Sequence, residues 1–112
     1  FEPANFPVES EFLFDRLYAA HFAANGIQVI DRSASDALSL IALGYEPTNI
    51  ATDGNQLFVV GVERSFVDVI NVVTDTVVDS ISLPLQQPTG VAASATHILV
   101  ADRSAGLIVM QR

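Results

Sequence analysis

The chain contains no cysteine and no lysine. Without cysteine there is no disulfide framework, no thiolate metal site, no iron–sulfur ligation and no covalent haem attachment. The absence leaves the redox compartment open. Without lysine, five arginines stand against thirteen Asp and Glu, for a net charge of −8. Such a surface repels a phosphate backbone, so nucleic acid is excluded as a partner. An acidic surface favours solubility and attracts cations or basic partners. Long apolar runs are missing too. Half of the 112 residues are hydrophobic, yet they come in short bursts such as Leu57–Val60, far below the ~18 residues of a membrane-spanning helix. Chains of this kind bury both faces of their strands instead of crossing a bilayer. The first residue is Phe1 and no signal-peptide pattern follows, which reads as a processed or excised segment. Glycine-rich phosphate loops and zinc-ligand spacings are also absent.

What is present is a repeat. Glu2–Phe6, Glu46–Ile50 and Gln87–Val91 begin alike, with their prolines 44 and 41 residues apart. Leu17–Ala20, Leu57–Val60 and Ile98–Ala101 follow at spacings of 40 and 41. Val29, Val69 and Val109 mark a third landmark at spacings of 40 and 40, and Leu43 and Leu83 close a fourth, also 40 apart. Four landmarks on one period define a unit, whereas a single one would mean little.

Each landmark is a short segment rich in Val, Ile, Leu and aromatics, the composition of a strand. Asn25-Gly26, Ala105-Gly106 and Thr74–Thr76 punctuate the intervals, as turns require. No sustained 3.6-residue apolar period runs through the chain, so little helix is expected. The unit is a four-stranded antiparallel meander of about 40 residues, the size of a propeller blade. Repeat 1 spans 1–46, repeat 2 spans 47–87, and repeat 3 spans 88–112 without its outer strand. In repeat 1, Glu11–Arg16 reads as an insertion of about four residues that forms a turn or a longer hairpin tip.

Leu57-Phe58-Val59-Val60, Val69-Ile70-Asn71, Asp75-Thr76-Val77-Val78 and Gln87-Pro88-Thr89-Gly90-Val91-Ala92 together resemble the YVTN family of β-propeller repeats. Val29-Ile30-Asp31 and Glu46-Pro47-Thr48 match in the first repeat, where Phe6-Pro7-Val8 departs from the pattern. The resemblance, akin to WD40-like repeats in architecture, implies an all-β fold of about 2.75 blades belonging to a larger or oligomer-completed propeller. The Pro-Thr strand would be innermost. It also implies a noncatalytic interaction or ligand-binding scaffold in an exported protein, periplasmic, cell-surface or extracellular. The alternative is part of a propeller enzyme, lactonase-like or dehydrogenase-like, with catalytic residues mostly outside this segment. Blades at both ends would show bare apolar faces, each Val, Leu or Ile forgoing about 1.5–3 kcal/mol. Further blades of the same chain, identical copies or a protein partner are expected to cover them.

Loops on rigid scaffolds carry function. One rim holds the loops joining second to third strands and outer strands to the next inner strand. His21, Asn25, Tyr45, Glu46, Glu63, Arg64, Gln87, Asp102 and Arg103 fall there and form the expected ligand or partner rim. No catalytic set is expected. His21 and His97 occupy different places in their repeats, and no spacing gathers Glu46, Glu63 and Asp102 into a metal site. No cofactor is expected.

Overall fold

A pleated strand sends successive side chains to opposite faces, so a strand apolar throughout must be covered on both. That rule sets the architecture. In a computed structural model, residues 7–13, 16–21, 25–32, 37–61 and 64–112 are described. Among the described residues, eleven strands form three antiparallel sheets. The first sheet contains β1 (Pro7–Leu13), β2 (Arg16–His21), β3 (Gly26–Asp31) and β4 (Ala37–Ala42). The second contains β5 (Pro47–Thr52), β6 (Gln56–Gly61), β7 (Phe66–Asn71) and β8 (Thr76–Ser82). The third has β9 (Pro88–Ala93), β10 (His97–Asp102) and β11 (Gly106–Gln111). Among the described residues there is no α-helix. Each sheet is a meander with strands in chain order. The innermost strands β1, β5 and β9 lie side by side, with β5 touching both of the others. This is the arrangement of consecutive blades in a propeller.

The register makes the repeats equivalent. Val29 pairs with Tyr18, Val69 with Phe58 and Val109 with Leu99. Leu17, Leu57 and Ile98 pair likewise with Ile30, Ile70 and Met110. Two apolar seams result. Tyr18, Ile27, Val29 and Ile41 of the first sheet meet Ile50, Leu57, Val59 and Ile70 of the second. Phe58, Val60, Val67 and Val69, on the other face of the second sheet, meet Ile98 and Val100 of the third. The second sheet is thus covered on both sides, and its strands β6 and β7 are buried almost throughout.

The outer faces of the flanking sheets differ. Leu38 and Leu40 of the first are 59% and 47% exposed, and Leu107 and Val109 of the third are 63% and 57% exposed. Val109 holds the same register position as Val29 and Val69, which are buried. Among the described residues no sheet covers that side, and Val109 is exposed for that reason.

One sequence expectation is corrected. Pro7, and not Pro3, stands where Pro47 and Pro88 stand: Pro7 pairs with His21, Pro47 with Gly61 and Pro88 with Asp102. From Pro7 to Arg16 the spacing equals that from Pro47 to Gln56. Residues 11–13 lie in β1, paired with β2, so the first repeat has no insertion. Pro3 itself lies outside the described residues.

Polar latches tie the sheets along the rim opposite the site described below. Arg16 donates to the Val72 carbonyl at 2.8 Å and pairs with Asp75 at 3.3 Å and Asp31 at 3.4 Å. Tyr18 Oη donates to Asp75 Oδ1 at 3.1 Å. At the second seam Arg112 pairs with Asp53, donates to Gln56 Oε1 at 3.2 Å and lies 4.8 Å from the centre of the Phe58 ring. Near the axis, Thr48 Oγ1 on β5 donates to the Pro88 carbonyl on β9 at 3.1 Å.

Val69→Asp places an unpaired charge in the second seam and should cost about 3 kcal/mol or more. Val73→Asp, at a turn position that is 81% exposed, should change stability by about 0.5 kcal/mol or less. Thermal melts of the two variants beside the parent check the contrast.

Candidate functional site

The rim predicted to carry function is built from two kinds of loop. Asn25 before β3 and Arg64 and Ser65 before β7 stand on it, and so do the β4–β5 and β8–β9 connections. Asn25 adopts a left-handed φ of 53°, a conformation asparagine tolerates better than most residues. Its carbonyl accepts the Leu43 N–H at 2.9 Å. One repeat on, the Ser65 carbonyl accepts the Leu83 N–H at 3.1 Å. These bonds seat the outer strand beside the turn and aim each connection at the next inner strand.

The two connections are anchored by different chemistry. In the β4–β5 connection, Gly44 takes a φ of 83° and Tyr45 turns inward into the first seam. The Tyr45 ring fills the space above Gly61: a Cβ there would lie 2.2 Å from Tyr45 Cδ2. The ring meets Phe66 edge-on, centroids 5.5 Å apart, and its hydroxyl donates to Asp68 Oδ2 at 2.7 Å. Burial pushes the phenol far above the ordinary tyrosine range, and the hydrogen bond to Asp68 and that carboxylate's charge push it further. Tyr45 is therefore a neutral donor. Asp68 is itself buried, and its other oxygen accepts from the Ser80 hydroxyl.

In the β8–β9 connection, Leu85 holds the place of Tyr45 and buries in the second seam. Asp102 holds the place of Gly61, opposite the inner-strand proline. Its Oδ2 accepts the Gln86 and Gln87 N–H groups at 2.7 and 2.9 Å, and its Oδ1 accepts those of Ser104 and Ala105, both at 2.9 Å. Burial alone would raise this carboxyl, but the four N–H groups outweigh it and hold it below the ordinary carboxylate range. The Arg103 N–H closes the turn on the Gln87 carbonyl at 2.9 Å.

The predicted rim residues thus separate. Asn25, Tyr45, Glu46 and Arg64, with Gly44, line one depression of about 250 Å³ between the first and second sheets. Arg64 lies over the Tyr45 ring, its guanidinium carbon 5.4 Å from the centroid. Gln87, Asp102 and Arg103 form a second cluster one sheet on, in which the Asp102 carboxylate is spent on backbone N–H groups. His21 ends β2 opposite Pro7. Glu63 lies outside the described residues. Sequence reasoning missed Gly61, Asp68 and Ser80. One signal for the difference was available: Leu43 and Leu83 are 40 apart but Pro47 and Pro88 are 41 apart, so the second connection holds one residue more. Among the described residues, no three His, Asp or Glu side chains stand together as metal ligands.

Comparison with solved structures supports the fold. No protein family matches the chain, and no curated protein matches it by sequence. Solved structures do. Hydrazine synthase of Kuenenia stuttgartiensis aligns over 94% of this chain with a TM-score of 0.79 at 18% identity. AztD of Citrobacter koseri aligns over 86% with a TM-score of 0.72 at 19% identity. A nidogen/laminin complex aligns over 87% with a TM-score of 0.69 at 16% identity. The chain spans 32%, 28% and 39% of those chains, about a third of their length. At these identities the likeness is one of fold: the chain has the fold of consecutive β-propeller blades.

A carboxyl whose native pKa is depressed stabilises the fold above its unfolded pKa of about 3.9 and loses that contribution as pH falls through the native value. Melting temperature should therefore drop as pH is lowered from about 5 toward 2. Asp102→Asn replaces one acceptor oxygen by an NH2 group facing N–H donors. Its melting temperature should be lower at pH 7 and its acid limb flatter than the parent's, which melts across that pH range will show.

Proposed function

We propose that the chain is a noncatalytic β-propeller scaffold of YVTN-type repeats, divided at 1–46, 47–87 and 88–112, whose rim between the first two blades binds a partner or ligand. The observation that carries this reading is the division of labour at the rim. The buried carboxylates Asp68 and Asp102 are spent on internal donors, which argues against general acid–base chemistry there. Arg64 and Glu46, by contrast, reach the surface beside a ring that is held fixed. A rigid platform with outward polar groups is what binding requires. Further blades of the same protein cover the outward faces of the first and third sheets. The span of about a third of each similar chain supports this. Export to the periplasm, cell surface or extracellular space rests on the resemblance to YVTN repeats alone. The name hydrazine synthase denotes an enzyme, but a likeness of fold transfers no chemistry.

A photo-crosslinking amino acid placed at Glu46, and separately at Thr74 on the opposite rim, tests the proposal in the full-length protein in its own cell. A discrete adduct from position 46, absent from position 74 and identified by mass spectrometry, is the expected result. Equal adducts from both positions, or none from 46, would contradict it.

A further inference from the structure

The depression between the first and second sheets has a chemistry of its own, and its reading rests on the rim proposed above as a binding surface. Arg16 is matched with Asp31 and Asp75, and Arg112 with Asp53. Arg64 is not matched in this way. Its guanidinium lies over the Tyr45 ring, and among the described residues it has no carboxylate partner. Among the described residues Arg103 has no carboxylate partner either, but of these two arginines it is Arg64 that is held over an aromatic face. A guanidinium over a ring keeps its N–H groups around the periphery, where an acceptor in its plane can reach two at once.

The platform beneath is fixed. Tyr45 is buried, its hydroxyl is held by Asp68 and its ring edge-on by Phe66. Little side-chain freedom remains to be lost on binding, which favours affinity. Asn25, an exposed residue, lines the same depression, and Gly44, with no atom within 4 Å of where its Cβ would be, leaves the wall open.

We infer that this depression takes a single carboxylate group, gripped by the Arg64 guanidinium with the Asn25 amide beside it. Two features favour a carboxylate over a phosphate. Glu46 lines the same depression, and the chain carries a net charge of −8; both repel a doubly charged anion more than a singly charged one. Size limits the ligand without choosing between the two anions. A volume of about 250 Å³ falls under the roughly 300–1,000 Å³ of cofactor and drug-sized sites. It suits one acid-bearing group. The carboxylate comes either from a small free acid or from an Asp or Glu side chain of a protein, and the chemistry at Arg64 is shared.

The test is a titration of the full-length protein, labelled with 15N-arginine, followed through the Arg64 Nε–H signal. That signal is assigned by its loss in Arg64→Gln. The probes are sodium acetate, a capped peptide containing one glutamate and its glutamine counterpart, each against sodium chloride at matched ionic strength. A saturable shift with acetate and the glutamate peptide, and none with chloride or the glutamine peptide, is expected. Arg64→Lys, which keeps the charge and loses the fork, should weaken binding about tenfold, followed through the Asn25 side-chain amide in a second sample labelled with 15N-asparagine. Equal affinity per carboxylate for acetate and peptide identifies a free acid as the source, and tighter peptide binding identifies a protein side chain. No saturable shift with either acid, or an unchanged affinity in Arg64→Lys, overturns the inference. Arg64 is exposed, so a variant whose melting temperature matches the parent reports on binding and not on folding. Should the shift be missing while crosslinks from Glu46 persist, the carboxylate assignment falls and the rim remains a binding surface.

Discussion

A sheet whose strands are apolar on both faces is stable only between two neighbours. Strands β6 and β7 show the consequence: Leu57, Val59 and Ile70 point into one seam while Phe58, Val60, Val67 and Val69 point into the other. Each buried side chain of this size contributes about 1.5–3 kcal/mol, and a small domain's whole stability is about 5–15 kcal/mol. The seams therefore dominate the energetics. Hydrogen bonds within a sheet set the register, but the register matters because it decides which side chain enters which seam. A slip of one residue would exchange the two faces of a strand.

The polar elements are fitted to that frame. Both seams carry an arginine latch on the same rim, yet with opposite direction. Arg16 reaches from the first sheet to Asp75 of the second, whereas Arg112 reaches from the third sheet back to Asp53 of the second. The connections between sheets likewise meet one demand in two ways. Tyr45 over Gly61 uses a buried ring, and Asp102 under Gln86 and Gln87 uses a carboxylate and four N–H groups. Because the ring solution leaves an aromatic face at the surface edge, only that connection supports Arg64 above it. The candidate site is thus a by-product of how one seam is closed.

The strands and their seams were legible in the sequence because burial on both faces leaves a periodic signature: Val29, Val69 and Val109 keep one spacing and one register. The first inner strand was misplaced because Pro3 and Pro7 both precede apolar residues. Only the pairing of Pro7 with His21 tells them apart. The rim was legible as a list of polar loop residues, since loop position follows from strand order. Its division was not. Whether an aspartate faces solvent or its own backbone depends on turn geometry, and Asp102 looks no different from any rim carboxylate in sequence. Asp68 was hidden for a related reason: a carboxylate within a buried strand is tolerated only because Tyr45 and Ser80, 23 and 12 residues away, supply its donors.

If seams carry the stability, a sheet with one face uncovered is a deficit that some surface must fill. Leu38, Leu40, Leu107 and Val109 mark where it lies. A specific interface buries on the order of 1,000 Å² or more. The most direct measurement is made on residues 1–112 alone, by light scattering for mass and calorimetry for cooperativity, with a dye that reports exposed apolar surface. Self-association into oligomers or aggregates, with dye binding that disappears when further blades or a completing partner are supplied, is the result expected. A monomer that unfolds in one cooperative transition and binds no dye would contradict the account.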